Sequence, residues 1–593
     1  MEKLTILFFL ALLSMGCESM ITGGHNQQPY DKIAPKTAFN DEDGLKLYIN
    51  SLYNNLPGGN GIAHNDQISD YLARKTVPTY LKPGAYGPKE AGGWSWGGLR
   101  NINYFLNNAP EQARGEVRDE VLNHYIGVAR FFRALYYFKK VKRYGDVPWY
   151  NTALDPADST ELYKSQDPRT LVMDSVRADL NYAINNLNDT KNSTASRITK
   201  WVALAYKSRI CLFEGTYRKY HEELNLKGTA AQWLKEAVTS AEEVMNSGEY
   251  SLHESSSNPE LSYRELFIDQ GGHSPADETI LAYNASREQN ILHDANWYYT
   301  SPTYGSRLNF TKPFINTYLT IDGTPFTDIS GYKKMPFMEE VKDRDLRLQQ
   351  TIRMKGYKRT DGTTPAPNFS YSMTGYQPIK FTLASKQYDN EIVNDNSIPL
   401  IRFAEVLLNF AEAKAELGTF NQNDWNKSIK LLRERAGIIN TSVPAKMDEY
   451  MRETYFPNIT DPVLLEIRRE RGIELALEGF RFDDLRRWKR GELLEMPYKG
   501  MYVPKTNTLY DLNSDGKSDV SFVNEIPDSK ESGVVYVELK EGDYELTDGD
   551  KGNILWRDNL DKEWEDYKYI YPIPFDAISL NPNLKQNKGW GDK

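Results

Sequence analysis

From Asp41 to Tyr250, apolar residues recur at threes and fours. Leu45, Tyr48, Leu52 and Leu56 make one stripe, and Val121, Tyr125, Val128, Phe132, Leu135 and Phe138 make a longer one. This spacing places side chains on one face of a 3.6-residue helix and predicts amphipathic α-helices. Gly145 and Pro148 stop the longer stripe. "DPRTLVMDSVRADLNYAINNL" opens another helix, with Asp167 as its expected N-cap and Pro168 at its first position. "TKWVALAYKSRICLFEG" and "TAAQWLKEAVTSAEEVMNSGEY" follow, each closing near a glycine. Small residues (Ala203, Ala205, Ala237, Ala241) stand where two such helices would approach closely. "IRFAEVLLNFAEAKAELGTFNQNDWNKSIKLLRERAG" repeats the scheme of helix, Gly418 turn, helix. The expected fold is mainly α, with tetratricopeptide-like helical repeats (about four helix pairs), long irregular loop segments and little β.

The pattern breaks between Ser251 and Asn396, where Gly, Pro, Ser, Asn and Tyr are frequent, and again after Gly500. The organisation read from this is a helical region over 41–250, then a loop-rich part over 251–396. A last repeat over 397–437 follows, then closing helices and an irregular tail over 438–593. Irregular segments on a rigid scaffold are where binding function tends to sit.

The first residues carry an address. Lys3 precedes an apolar run from Leu4 to Met15, too short for a bilayer span of about 20 residues but suited to a signal-peptide core. Gly16 and Cys17 follow, which predicts a lipoprotein signal over 1–16 and lipidation of Cys17, although Ser14 and Glu2 depart from the usual pattern. Residues 17–40 then read as a lipidated flexible tether. The other cysteine, Cys211, has no partner left and is expected to be a small buried residue.

The formal net charge is −10, which argues against nucleic acid as a partner. The basic-looking stretch "IRRERGIELALEGFRFDDLRRWKRGELL" holds eight cations against six acids, a net of only +2. Gly479 is expected to split it into two helices. Arg471 is expected to pair with Glu474 and Arg469 with Glu466 at helical spacing. Arg468 has no such neighbour and must reach an acid elsewhere in the fold.

Six segments then carry a resemblance. "ARFFRALYYFKKVKRYGDVPWY", "DRDLRL", "LIRFAEVLLNFAEAKAELG", "LLRERAGI", "RRERGIELALEGFRFDDLRRW" and "YPIPFDAISLNPNLKQNKGW" occur in this order. The chain from Asp41 to Trp590 resembles the SusD/RagB family of outer-membrane nutrient-binding lipoproteins. The resemblance implies a lipid-anchored protein on the cell exterior that captures oligosaccharide, or peptide, for a SusC-like TonB-dependent transporter without catalysis. The alternatives are a glycoside hydrolase and a ligand-free scaffold.

No catalytic constellation stands out. The seven histidines show no metal-ligand spacing, and no P-loop, nucleophile elbow or dinucleotide loop is present. "GGNGIA" at Gly58 reads as a turn. No organic cofactor is expected. "DLNSDGKSDV" places Asp511, Asn513, Asp515 and Asp519 at positions 1, 3, 5 and 9 of an EF-hand-type loop, with the Lys517 carbonyl at position 7. A structural Ca²⁺ is expected there, although Phe522 replaces the bidentate Glu at position 12.

Aromatic residues make up 12% of the chain. Rings stack on sugar faces, and Asn and Arg side chains serve hydroxyl pairs. The ligand residues predicted from the loop-rich stretches are Trp94, Trp96, Trp297, Tyr80, Tyr298, Tyr304 and Tyr376 as rings, with Arg74, Asn101 and Asn103 as polar contacts.

Overall fold

The computed structural model describes residues 38–256, 258–301, 308–557 and 560–591. Cys17, the signal and most of the tether lie outside the described residues, as does Tyr304. The chain is mainly helical, as the apolar spacing requires.

Helix α1 (Glu42–Leu52) starts at Asp41, whose side chain accepts from Gly44 N–H at 2.8 Å. It packs with α2 (Gly97–Gln112) and α3 (Asp119–Tyr144). Helix α3 has Asp119 and Glu120 in its first turn and Lys142 and Arg143 in its last, matching the helix dipole at both ends. Gly145, at φ +74°, ends it. Helix α3 pairs with α4 (Arg169–Asn186), and α5 (Lys200–Tyr220) with α6 (Lys227–Met245).

The cap of α4 differs from the expected one. Asp167 instead accepts from Trp149 N–H at 2.7 Å, and Asp146 takes the Arg169 N–H at 2.7 Å. A cap distant in sequence therefore replaces the local one. The small residues do mark the close contact of α5 and α6: Ala203, Ala205, Ala237 and Ala241 are fully buried. A side chain at Gly215 would place its Cβ 2.8 Å from Leu234 Cγ. Cys211 is buried in the same helix, and burial pushes its thiol pKa up. Helix α7 (Phe403–Glu416), followed by α8 (Ile429–Arg435), forms the last pair and lies on α6 and α5. Among the described residues, no helix is long and apolar enough to cross a membrane.

The loop-rich half has a core of its own. Tyr263, Phe267, Tyr298, Phe310, Tyr318, Tyr376 and Phe381 gather in it. Strand β1 (Thr279–Tyr283) pairs antiparallel with β2 (Ile398–Arg402), tying this half to α7. The tail after Gly500, expected to be irregular, forms two small sheets. In one, β3 (Lys499–Val503) lies beside β8 (Gly552–Trp556), which lies beside β7 (Tyr544–Leu546). In the other, the order is β4 (Leu509–Tyr510), β5 (Val520–Val523), β6 (Val535–Glu538). The strands are two to five residues long, too short for a clear alternating pattern in sequence.

Helices α9 (Pro462–Glu474) and α10 (Arg481–Arg487) carry the balanced charges inward. Glu474 accepts from Arg347 at 2.9 Å and from Arg402 at 2.6 Å, and also pairs with Arg435. Burial alone would raise its pKa; Arg435, Arg402 and Arg347 overcome this and hold it well below the ordinary carboxylate range. Glu470 bridges Arg347 at 2.8 Å and Arg433 at 2.7 Å. The expected Arg471–Glu474 pair does not form, because Glu474 is taken by these three arginines. Arg471 turns to Asp484 at 2.8 Å. The Arg469–Glu466 pair forms at 3.0 Å, and Arg468 reaches Glu416 at 2.9 Å.

Candidate ligand-binding site

Between α9 and α10 the chain passes through Gly479 at φ +83°, a left-handed conformation in which a side chain is strained. A Cβ there would also meet Asn65 Nδ2 at 2.0 Å. The glycine lets residues 60–68 lie directly against the start of α10. "GGNGIA", expected as a turn, is a short helix over Gly59–Ala63. It is buttressed from behind, since Asp294 N–H donates to Asn60 Oδ1 at 3.0 Å and His64 Nε2 lies 2.8 Å from Asp294 Oδ1. Tyr298 stacks on the His64 ring with centroids 3.7 Å apart.

This wall and α10 enclose an open cleft of about 600 Å³. Three amides (Asn60, Asn65, Gln67) and His64 line one side; Phe482, Asp483, Lys142 and Tyr571 line the other. Lys142 and Asp483 form an ion pair. A narrower pocket of about 180 Å³ continues inward, sharing Asn65, Lys142, Gly479 and Asp483 with the cleft. The pKa of Lys139, which lines it, is lowered to about 8 by burial and by the neighbouring Lys142 charge. Behind the wall lies Asp66, 3% exposed. Its carboxyl has only loose approaches from the backbone of Gly479 and Arg481, none of hydrogen-bond geometry, and burial raises it to about 7. The arrangement offers neutral donors and acceptors beside ring faces, together with the Lys142–Asp483 ion pair and the His64–Asp294 pair. That chemistry suits a polyhydroxylated ligand held by many weak contacts.

The predicted ligand residues fall elsewhere, and none of those described lines the cleft. Four of them are buried. Tyr80 is 4% exposed, stacks on Tyr571 at 4.4 Å and donates to the Lys568 carbonyl at 2.5 Å. Tyr298 and Tyr376 belong to the second core, with Tyr376 donating to Glu340 at 2.6 Å. Asn103 donates to the Tyr150 and Thr152 carbonyls at 2.9 and 3.0 Å. These side chains are already committed within the protein. Arg74 is half-buried and donates to the Gln67 carbonyl at 2.8 Å, so it braces the cleft wall from behind. Asn101 is exposed on α2, and Trp297 is half-buried in the short helix Ala295–Thr300.

Trp94 and Trp96 are brought together, edge to face at 5.4 Å, and both are half-buried. Lys140 donates to the Ser95 carbonyl at 2.7 Å and sits 5.0 Å from the Trp96 ring centroid; Tyr144 donates to Gly92 at 2.6 Å. The tryptophan loop is thus laid along α3. From the cleft, Tyr571 leads through Arg143 (4.0 Å from its ring centroid) to Tyr144, which meets Trp94 at 4.8 Å. The cleft residues that sequence reasoning missed, Asn60 to Gln67, form an amide-dense run. That signal is weak, because polar runs are common in ordinary loops.

The 511–519 loop closes through its own backbone. Asp511 accepts from Ser514 N–H at 2.6 Å and Gly516 N–H at 2.9 Å, Asp515 from Lys517 N–H at 2.9 Å, and Asp519 from Leu512 N–H at 2.7 Å. Asn513 Oδ1 accepts from Asp515 N–H at 3.0 Å, and its amide donates to Thr364. Burial, with the charges of Asp511 and Asp515, raises the Asp519 carboxyl. Phe522 belongs to β5 and is fully buried, which explains why position 12 offers no carboxylate. Among the described residues, no group of three or more His, Cys, Asp or Glu is gathered to hold a metal ion.

Comparison with known proteins agrees with this architecture. The structure of a SusD-like protein from Bacteroides fragilis superposes with a TM-score of 0.66 at 22% identity, covering 95% of this chain and all of the other. A SusD-like carbohydrate binding protein from the same species gives 0.65 at 20% identity, over 93% of this chain. In sequence, the SusD-like protein P2 of Formosa agariphila is 25% identical over 527 residues, 83% of this chain and 92% of the relative. The model described as "Starch-binding associating with outer membrane" matches residues 97–212, and that of the SusD family matches residues 277–590, just over half of the chain. The chain belongs to the SusD family.

Proposed function

We propose that this protein captures oligosaccharide in the cleft between residues 60–68 and α10, and passes it without turnover to a SusC-like TonB-dependent transporter at the outer membrane. The observation that carries the reading is the lining itself: three amides and a histidine facing the Phe482 and Tyr571 rings across about 600 Å³. A carbohydrate-binding relative of the same fold and a family description naming starch and the outer membrane support it. A glycosidase uses two carboxylates flanking the scissile bond. The cleft lining has one carboxylate, Asp483, paired with Lys142, and the inner pocket adds Glu478 and Asp484, held by Arg402 and Arg471; carboxylates tied up in ion pairs favour capture over hydrolysis.

Calorimetry of the full chain against neutral oligosaccharides and peptides tests the site. Phe482→Ala is expected to weaken the binding of a glycan about tenfold, a loss of about 1.4 kcal/mol. Equal affinity in the variant removes the cleft from the reading; binding of peptides alone replaces the ligand class; product release makes the protein an enzyme.

The anchor belongs to the same reading. Cys17→Ser is expected to move the protein out of the membrane fraction. The Asp511 loop is proposed to gain a weak structural Ca²⁺, with Asp511, Asn513, Asp515, Asp519 and the Lys517 carbonyl as ligands; its turns already exist without one. A chelator is then expected to lower the melting temperature by a few degrees at most. No shift on chelation or on Ca²⁺ addition leaves the loop a polar turn.

A further inference from the structure

At the far end of α10 a second cavity, of about 320 Å³, opens beside the first turn of α9. It shares no lining residue with the cleft. Its volume is at the low end for small-molecule sites and suits one or two sugar rings. Three cations line it, Arg468, Lys489 and Arg490, against one carboxylate, Asp461. That carboxylate caps α9, accepting from Val463 N–H at 2.9 Å. Phe456 and Trp488 supply ring walls.

The cations are incompletely satisfied. Arg468 is 3% exposed, and its guanidinium lies 4.5 Å from the Trp488 ring centroid and 4.9 Å from that of Phe456. It donates through Nη2 to Glu416 at 2.9 Å and to the Tyr220 hydroxyl at 2.8 Å, but its Nε has no partner. Arg490 donates through Nη1 to Glu492, and its Nε is also buried without a partner. A buried N–H left unpaired is costly, more so on a charged group. Burial lowers the Arg490 pKa, and the neighbouring Glu492 carboxylate opposes the shift without cancelling it. Lys489 is held at φ +55° and faces Glu223 at 2.9 Å and Asp566 at 3.5 Å. Two guanidinium donors thus remain for an acceptor that the chain does not provide.

We propose that this pocket is a second binding site, for the carboxylate or sulfate of an acidic sugar, with Arg468 and Arg490 as its donors. Phe456 and Trp488, each 2% exposed, back the arginines from within the fold, and the guanidinium groups take the oxyanion, geometry that suits arginine. The site does not depend on the cleft: a neutral glycan would use the cleft alone, whereas an acidic one would also meet this pocket.

The test is calorimetry of the full chain with glucuronate, a galacturonate tetramer, inorganic sulfate and neutral maltotetraose. Glucuronate and the uronate tetramer are expected to bind, more weakly as salt is raised, and excess maltotetraose is expected to leave glucuronate affinity unchanged. Arg490→Gln should weaken it about tenfold. Lys489→Asn, whose residue tolerates the left-handed backbone, should weaken it less. If Arg490→Gln fails to fold, the Lys489→Asn variant and the salt dependence carry the test. Sulfate binding without either sugar would reduce the pocket to an ion site and overturn the proposal. So would absence of binding, or affinity equal in wild type and both variants.

Discussion

The inward side of α9 and α10 and the cleft wall at 60–68 are both crowded with polar side chains, yet they behave in opposite ways. Glu470, Glu474, Arg471, Arg481 and Arg487 are buried and committed to Arg347, Arg402, Asp484, Asp70 and Glu412. Asn60, Asn65 and Gln67 are partly or fully open and face the cleft. The two regions meet inside one helix: Arg481, Asp484 and Arg487 point inward while Phe482 and Asp483 line the cleft. Positions three apart share a helix face, so a single α-turn separates the frame from the site. The difference lies in water. Full charges removed from water must be paired, and pairing fixes them in place. Neutral amides left beside water stay available to a ligand.

The frame side should break hardest. Glu474→Ala leaves Arg347, Arg402 and Arg435 short of their shared acid and is expected to cost about 3–5 kcal/mol of stability in urea denaturation. A loss under about 1 kcal/mol would show that the buried pairs are interchangeable with water contacts.

Asp66 lies between the two regions, buried like the frame but without an ion-pair partner. Its folded pKa, raised by burial to about 7, exceeds the ordinary value of about 3.9. The folded state keeps the proton where the unfolded chain has lost it. Its contribution is therefore fully present below about pH 4 and lost as pH rises to about 7, by a few kcal/mol. Denaturation at pH 5 and pH 8 should show wild-type stability falling relative to Asp66→Asn. Parallel curves for the two proteins would mean that Asp66 is ionised at both pH values.

Gly479→Ala sharpens the comparison at the contact itself. Strain at φ +83° and the clash with Asn65 should cost about 1–3 kcal/mol and displace the cleft wall. Glycan affinity measured on the folded fraction should fall with it. If stability falls and affinity holds, the cleft wall is not the ligand surface.

Much of the frame could be read from the chain. Apolar spacing marked the long helices, Gly145 marked the end of α3, and the alanines of α5 and α6 marked their contact. These depend on neighbours a few residues away. Charge balance likewise showed that the arginine-rich stretch is no polyanion grip. Its partners were less legible. Arg469 found Glu466 within its own helix, but Arg471 took Asp484. On an isolated helix the nearest acid wins, whereas in the packed fold three other arginines had claimed Glu474.

The aromatic candidates show the same limit. Sequence alone gave the abundance of rings and the loops that carry them; it could not say which rings would be buried. Tyr80, Tyr298 and Tyr376 went into cores because apolar area is removed from water wherever packing permits, and a tyrosine hydroxyl accepts burial once it finds an acceptor. The cleft came from a contact between Asn65 and Gly479, far apart in the chain, and no local pattern encodes it. By itself the sequence determined the helices, their charge balance and the resemblance to a binding family. Only the tertiary structure decided which polar groups are consumed in holding the chain together and which remain free to meet a ligand, because that depends on who else is within a few ångströms once water is excluded.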